Sequence, residues 1–338
     1  MSTLRTDAIL DSLGGNTTTV NGVLLNAGTI EPDDRIINGD FGVWQRGVFS
    51  LSTFVYGADR WVNAVIGGSV VQSRQAFDIG DTIGVNSPTY FLRQIASGQT
   101  LATHYAATVQ RIESVRSYAG QTITVLGWAR RSSGAGNMSI DADQVFGTGG
   151  TPSGNVLGIN QNTVALTASW VPFAAVMSIP SISGKTLGTN SDDYLGINFW
   201  ISAGSSYNTR TNSLGFQTIG VDLWGIHIKR GIHTVDAVNL YRPRDPGTEL
   251  LLCQRYCSTA VVGSQSTTAN VAMTVPWSTK VTMRVSPTIN VTLPAFGAIN
   301  ASVTQDIVSS PDGGYFTIVA TAGGGYVVGR KYLLDAEI

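Results

Sequence analysis

Along most of the chain apolar and polar residues alternate with a period of two. The alternation is interrupted about every 8–12 residues by Gly, Asn, Ser or Pro, a pattern of short half-buried strands joined by turns. It predicts strands over 122–129, 194–201, 221–228, 235–241, 281–285, 289–293 and 315–320, all rich in Thr, Val, Ile and aromatics, which suit a pleated surface. Helix signals are few. Val109, Ile112 and Val115 recur at helical spacing ahead of Gly120, which predicts a helix over 109–117. A second short helix, 249–256, follows Pro246-Gly247 with Thr248 as its cap. The class is all-β, and no fixed-period repeat marks a solenoid or propeller.

Three segments follow from the same pattern. Residues 1–34 are polar, include Gly14-Gly15-Asn16-Thr17-Thr18-Thr19, and lack the apolar residues for a core of their own. Residues 35–245 form one long β-domain of a size suited to two packed sheets. Arg242-Pro243-Arg244-Asp245-Pro246-Gly247 is a proline-punctuated joint, and 246–338 hold the junction helix and a smaller β-domain of roughly five strands.

Composition narrows the function. Of 338 residues only 13% are charged, about half the usual share, and 21 basic against 22 acidic side chains leave a net charge of −1. Such a balance gives no general attraction to nucleic acid or to an acidic membrane surface. No apolar run approaches the ~18 residues that span a bilayer, so no membrane insertion is expected. The opening Met1-Ser2-Thr3-Leu4-Arg5-Thr6-Asp7 has no apolar region of a secretory signal. In place of charge the chain carries 39 Gly, 36 Thr and 31 Ser. Two readings satisfy that surface: an oligomer that hides its flanks, or an extracellular β-protein coated with hydroxyls and amides.

Candidate chemistry is sparse. Cys253 and Cys257 have no His or Cys partners for a zinc site, and His104, His227 and His233 are scattered, so no metal is expected. The two thiols are either buried and free or part of an interchain disulfide. A glycosidase needs two carboxylates about 5–9 Å apart. Most acids sit in turn contexts such as Ser191-Asp192-Asp193, and only Asp141 and Asp143 share one face of a predicted strand. Neither a Gly-x-Ser-x-Gly elbow nor a phosphate loop is present, so no catalytic residue and no cofactor is expected. A sugar site asks instead for flat aromatic faces beside short polar side chains. Tyr207, Tyr315, Tyr326 and Trp277, each next to Gly, Ser, Asn or Pro, are the glycan-binding candidates. Trp44, Trp61, Trp128, Trp170, Trp200 and Trp224 lie in or beside strands and read as core.

The stretch Asn38-Gly39-Asp40-Phe41-Gly42-Val43-Trp44-Gln45-Arg46-Gly47, followed by Tyr56-Gly57-Ala58-Asp59-Arg60-Trp61, resembles the opening of a domain of bacteriophage tail fibre proteins. Further matches follow in order: Gln110-Arg111-Ile112-Glu113-Ser114-Val115-Arg116, Ala119-Gly120-Gln121-Thr122-Ile123-Thr124, Trp128-Ala129-Arg130, and Trp170 through Ile179-Pro180. The junction Glu249-Leu250-Leu251-Leu252-Cys253-Gln254-Arg255-Tyr256 resembles the peptide joining the two halves of such fibres. Val281-Thr282-Met283-Arg284-Val285-Ser286-Pro287-Thr288 and Asp335-Ala336-Glu337-Ile338 resemble their distal domain.

The resemblance implies a jelly-roll domain like those of carbohydrate-binding modules, then a small β-domain, in a homotrimeric fibre of a virion. It implies adhesion to a host-surface polysaccharide or lipopolysaccharide rather than catalysis. The segment Thr3-Leu4-Arg5-Thr6-Asp7-Ala8-Ile9 resembles the end that attaches to another virion protein. A non-receptor appendage (collar fibre or capsid decoration) is the alternative, and a glycan depolymerase a further one. No heptad run supports a coiled-coil stalk, so a trimer would close through β-faces or through 249–256. Leu251, Leu252 and Cys253 are the contact candidates there, with packing inside one chain as the alternative. Two departures bear on a structural calcium. Gly42 follows Phe41 where the pattern carries an acid, and Asp236 stands alone where two adjacent acids are common. Asp40 and Asp236 by themselves fall short of six oxygens. Arg46, Arg60, Arg111, Arg255 and Arg284 all fall inside these motifs, which points to structural guanidinium contacts.

Overall fold

A computed structural model describes residues 19–20, 23–24, 34–47, 49–50, 54–265, 270, 272–290, 298–299, 301–304, 310–320 and 326–338. Nearly all of the polar segment 1–34 lies outside the described residues. Ten strands build the larger domain: β1 Trp61–Ile66, β2 Ser69–Ala76, β3 Tyr90–Ser97, β4 Tyr105–Glu113, β5 Thr122–Ser133, β6 Asn137–Val145, β7 Val156–Ala165, β8 Val171–Ser178, β9 Tyr194–Ala203 and β10 Ile219–Arg230. They pair antiparallel in two sheets. The first runs β7-β6-β9-β4-β1 and ends on the short strand Val55–Tyr56; the second runs β8-β5-β10-β3-β2 and ends on Phe49–Ser50. The chain passes back and forth between the sheets, as in a jelly-roll sandwich.

Period-two alternation fills the space between the sheets. Leu195, Ile197, Phe199 and Ile201 of β9 point inward with Met138, Ile140 and Ala142 of β6, against Ile123, Val125 and Ala129 of β5 and Val221 and Leu223 of β10. The core also holds polar groups that are satisfied across it. Gln94 of the second sheet donates to Asn63 Oδ1 at 2.7 Å and accepts from Thr108 Oγ1 at 2.9 Å. Gln110 exchanges bonds with the main chain of Ile37, both at 2.8 Å.

This polar inner row explains one difference from expectation. Residues 109–117 are not a helix: β4 occupies Tyr105–Glu113, and Val115 is buried in the turn beyond it. Thr108 and Gln110 face inward, so the alternation reads polar where the strand is buried, and the residual apolar spacing imitates a helix. Residues 235–241 form a 3-10 helix, Val235–Leu240, rather than a strand. Residues 281–285 are an irregular bend that buries Met283. The junction helix is Pro246–Gln254, and its cap is Asp245, which accepts from Gly247 N and Thr248 N; Thr248 is inside the first turn.

The Asn38–Phe41 motif plugs one end of the sandwich. Asn38 ties the loop through Val43 and the Asp59 carbonyl, and its own carbonyl receives Trp61 Nε1 at 2.9 Å. Phe41 is fully buried with its ring centroid 4.9 Å from that of Trp61. Gly39 lies against β10, accepting from Ile226 N at 2.9 Å, and a Cβ there would stand 2.0 Å from Ile226 O.

Beyond the helix, β11 Cys257–Gln265, β16 Tyr326–Asp335 and β13 Thr288–Asn290 form one sheet, to which the short strand Ala298–Ile299 adds by pairing with β16. β12 Ala272–Ser278, β15 Gly313–Ala320 and β14 Ala301–Thr304 form another. Residues 291–293 of the expected strand 289–293 lie outside the described residues. The second core gathers Ala260, Trp277, Met283, Phe316, Tyr332, Leu334 and Ala336.

Arginines weld the two domains. Arg46 pairs with Asp335 and Glu337, Arg60 with Glu337, and Arg255 with Glu113. Arg284 donates to the carbonyls of Ala336 and Glu337, both at 2.9 Å, and Arg111 to a main-chain oxygen of Ile338. All five motif arginines therefore make internal structural contacts. Among the described residues, no helix is long and apolar enough to cross a membrane.

Candidate functional site

The outer face of the first sheet carries a second row of side chains, distinct from the core. β4 contributes Tyr105, Ala107, Val109 and Arg111, β1 contributes Val62 and Ala64, β9 contributes Tyr194, Asn198 and Trp200, and β6 contributes Asp141 and Asp143. Strand register puts them side by side, with Trp200 opposite Ala107 and Asn198 opposite Val109 on one flank and Asp141 opposite Asn198 on the other. A cleft of about 120 Å³ opens among them, edged by Phe54, which is 49% exposed with its ring 6.4 Å from Tyr105.

A short segment roofs one end of the face. Gly204 lets the chain leave β9 close under the 101–104 turn, where a Cβ would meet Ala102 O at 2.3 Å. The 3-10 turn Ser205–Tyr207 and the single helical turn Asn208–Thr211 follow. They bring Tyr207 edge-on to Tyr105 (4.9 Å between centroids) and Arg210 over the Trp200 ring at 4.7 Å.

Arg210 ends in a cluster of carboxylates. Its Nε donates to Asp141 at 3.0 Å and its Nη2 to Asp143 at 2.6 and 2.7 Å. Trp200 Nε1 donates to Asp141 at 2.7 Å, Asn198 Nδ2 donates to both acids, and Gly158 N donates to Asp143 at 3.1 Å. Burial, reinforced by the neighbouring Asp143, pushes the Asp141 carboxyl up to about 6 against the pull of Arg210. The pair singled out as possible hydrolytic acids is thus a closed ion cluster, and Asp141, with no exposed surface, cannot touch a substrate.

The predicted site residues do not converge. Tyr207 belongs to this face and is half-exposed. Tyr315 is 36% exposed, but on β15 of the smaller domain. Trp277 is a correction: it is buried in the second core, 6.3 Å from Phe316, because Pro276-Trp277-Ser278 is strand rather than loop. The Tyr326 side chain lies outside the described residues. On the junction helix Leu251 is 46% exposed and Leu252 half-buried, whereas Cys253 is fully buried within the chain and cannot form a contact between chains. Cys253 and Cys257 are both buried free thiols. Trp200 is buried as expected, but beneath Arg210 on the outer face rather than between the sheets. Phe54, Tyr105, Tyr194, Asn198, Arg111 and Arg210 were not singled out as ligand contacts. The outward positions of β4 carried a signal, but only strand pairing brings them beside Tyr194 and Trp200.

Asp40 accepts from Gly42 N at 3.2 Å and Asp236 is exposed on the 3-10 turn. Among the described residues, no three His, Cys, Asp or Glu side chains are placed to hold a metal ion. Two larger hollows, of about 370 and 400 Å³, flank the junction helix. Their charges are spent internally: Arg244 binds Glu249 and the Asp34 and Ile36 carbonyls.

No family model matches the chain, and no curated protein sequence is similar to it. Solved structures share parts of its shape at low identity. A putative sugar binding protein from Bacteroides thetaiotaomicron is 11% identical over 59% of this chain and all of its own, with a TM-score of 0.36. The xylan-binding domain of a Paenibacillus barcinonensis protein is 11% identical over 60% of this chain and 97% of its own, with a TM-score of 0.32. The enzymatically active domain of bacteriophage CBA120 tailspike protein 4 is 10% identical over 59% of this chain, with a TM-score of 0.33; the match spans 22% of that tailspike chain.

Proposed function

We propose that the chain is a glycan-binding adhesin of a bacteriophage tail fibre, and that the cleft on the outer face of the first sheet is its sugar site. The observation that carries this reading is the cleft's composition. Rings of Phe54, Tyr105 and Tyr194 stand around a floor of Ala64, Ala107 and Val109, with guanidinium and amide groups at one side. Aromatic walls stack on the apolar faces of a pyranose, and fixed polar groups bond its hydroxyls. Weak single sites gain strength by repetition, which three copies on one fibre would supply. The resemblance carried by the ordered motifs from Asn38 to Ile338 supports the virion assignment and implies the trimer.

The experiment is direct. Purified full-length chain is measured for binding to host surface polysaccharide and for blocking infection of sensitive cells. Phe54→Ala, at an exposed edge, is expected to weaken both by about 2- to 12-fold, the scale of one lost stacking contact of about 0.5–1.5 kcal/mol. Polysaccharide binding without interference in infection would favour a non-receptor appendage. Release of reducing ends would favour a depolymerase, and absence of any binding would end the adhesin reading.

A further inference from the structure

The hydrogen-bonding capacity left over in the cleft is mostly of one kind. Both oxygens of Asp143 are taken by Arg210, Asn198 and Gly158, and both oxygens of Asp141 by Arg210, Trp200 and Asn198. What remains open is donors. Arg111 stands over the Tyr194 ring, 4.9 Å from its centroid, and among the described residues it donates through Nη1 alone, to the Ile338 main chain. Among the described residues no Asp or Glu side chain pairs with it, unlike Arg46, Arg60, Arg210 and Arg255. The Tyr105 and Tyr194 hydroxyls also face no partner among the described residues, and burial raises both, Tyr105 to about 12, so they keep their protons.

Building on the glycan-site reading, we propose that the cleft takes a sugar residue bearing a negative charge, with the Arg111 guanidinium as the group that receives it. The acceptor-rich anion matches what the cleft lacks. The planar guanidinium presents paired donors in the spacing of a carboxylate or phosphate. The Tyr194 ring beside it and the Ile338 oxygen hold the guanidinium in the cleft wall. A neutral sugar would offer the remaining donors no charged acceptor. Discrimination should therefore be about 10- to 100-fold, the range of one hydrogen bond to a charged group.

The test uses the full chain on arrayed glycans. Oligogalacturonate and sialyllactose are each printed beside their carboxyl-reduced forms, and phosphorylated mannan beside its dephosphorylated form. The proposal expects binding to at least one charged member, and a loss of at least about tenfold on its reduction or dephosphorylation; which treatment acts tells carboxylate from phosphate. Arg111→Gln should erase the difference between charged and neutral members, and Tyr194→Phe, which keeps the ring, should reduce it. Melting temperature is followed for both. If Arg111→Gln fails to fold, the Tyr194→Phe result and the charge comparison still decide. Equal binding of charged and neutral members overturns the proposal while leaving a sugar site. Charged binding untouched by both variants overturns it too. No binding to any glycan overturns the site itself.

Discussion

Glu337, at the end of the smaller domain, forms an ion pair with Arg60 of the sandwich, and neither side chain is more than 4% exposed. Arg60 also lies over the Tyr256 ring at 3.6 Å and donates to the Arg111 carbonyl. One buried guanidinium thus joins the two domains and the strand that carries the cleft.

Breaking that pair should be costly. Glu337→Gln leaves Arg60 without its buried counter-charge, while Arg46 keeps Asp335 and the buried Asp59; removing one partner of a buried pair costs about 3–5 kcal/mol. Glu113→Gln removes the partner of Arg255, but those side chains are 37% and 41% exposed, so its loss should stay within about 1 kcal/mol. Denaturant unfolding of the two variants measures the contrast. Equal losses would mean that the domain joint does not rest on Arg60.

The Arg210 cluster makes a second prediction. Arg210→Ala strands Asp141 and Asp143 together under the 204–215 segment, with an expected loss of about 3 kcal/mol or more. Adding Asp141→Asn should recover part of it, because one of the two like charges is then gone. A double variant no more stable than Arg210→Ala would show that the segment is held by packing of Tyr207 and Trp200 instead.

The architecture was largely legible. Strands β5, β9, β10 and β15 follow from alternation over 122–129, 194–201, 221–228 and 315–320, and the first three each turn an apolar row toward the core. β4 was lost because its inner row is Thr108 and Gln110, satisfied by groups on Gln94 and Ile37 that no local window contains. The site was legible only in kind. Aromatics beside small polar residues led to Tyr207, but equally to Trp277, whose partner Phe316 lies 39 positions away. Long-range pairing decided which aromatic lines a surface and which fills a core.

His227 sets a pH dependence. It is 4% exposed, stacked on Tyr241 at 4.9 Å, with Nδ1 against the Gly225 carbonyl and Nε2 buried without a partner. Burial pushes it down to about 4 from the usual 6.5. The unfolded chain therefore binds the proton first as pH falls. This contribution to stability is complete above about pH 6.5 and is lost progressively toward pH 4. Melting curves from pH 7.5 to 4.5 should fall more steeply for the native chain than for His227→Phe, which keeps the stack. Parallel curves would mean that the ring reaches solvent or a partner when charged.

Trp277 and Tyr315 separate packing from binding in the smaller domain. They lie on neighbouring strands, where Pro276 is opposite Tyr315 and Trp277 opposite Gly314. Trp277 is 7% exposed against Phe316, whereas Tyr315 is 36% exposed. Trp277→Ala empties a large volume in a small core and should cost about 3–5 kcal/mol. Tyr315→Ala removes a ring with an open face and should cost about 1 kcal/mol or less. The cleft lies on the sandwich, so Tyr315→Ala should leave glycan binding within about twofold of the native chain, on the scale of a 0.4 kcal/mol change. Stability and binding measured on the same two proteins decide the matter: a tenfold binding loss in Tyr315→Ala with unchanged melting would put a sugar contact on the smaller domain as well.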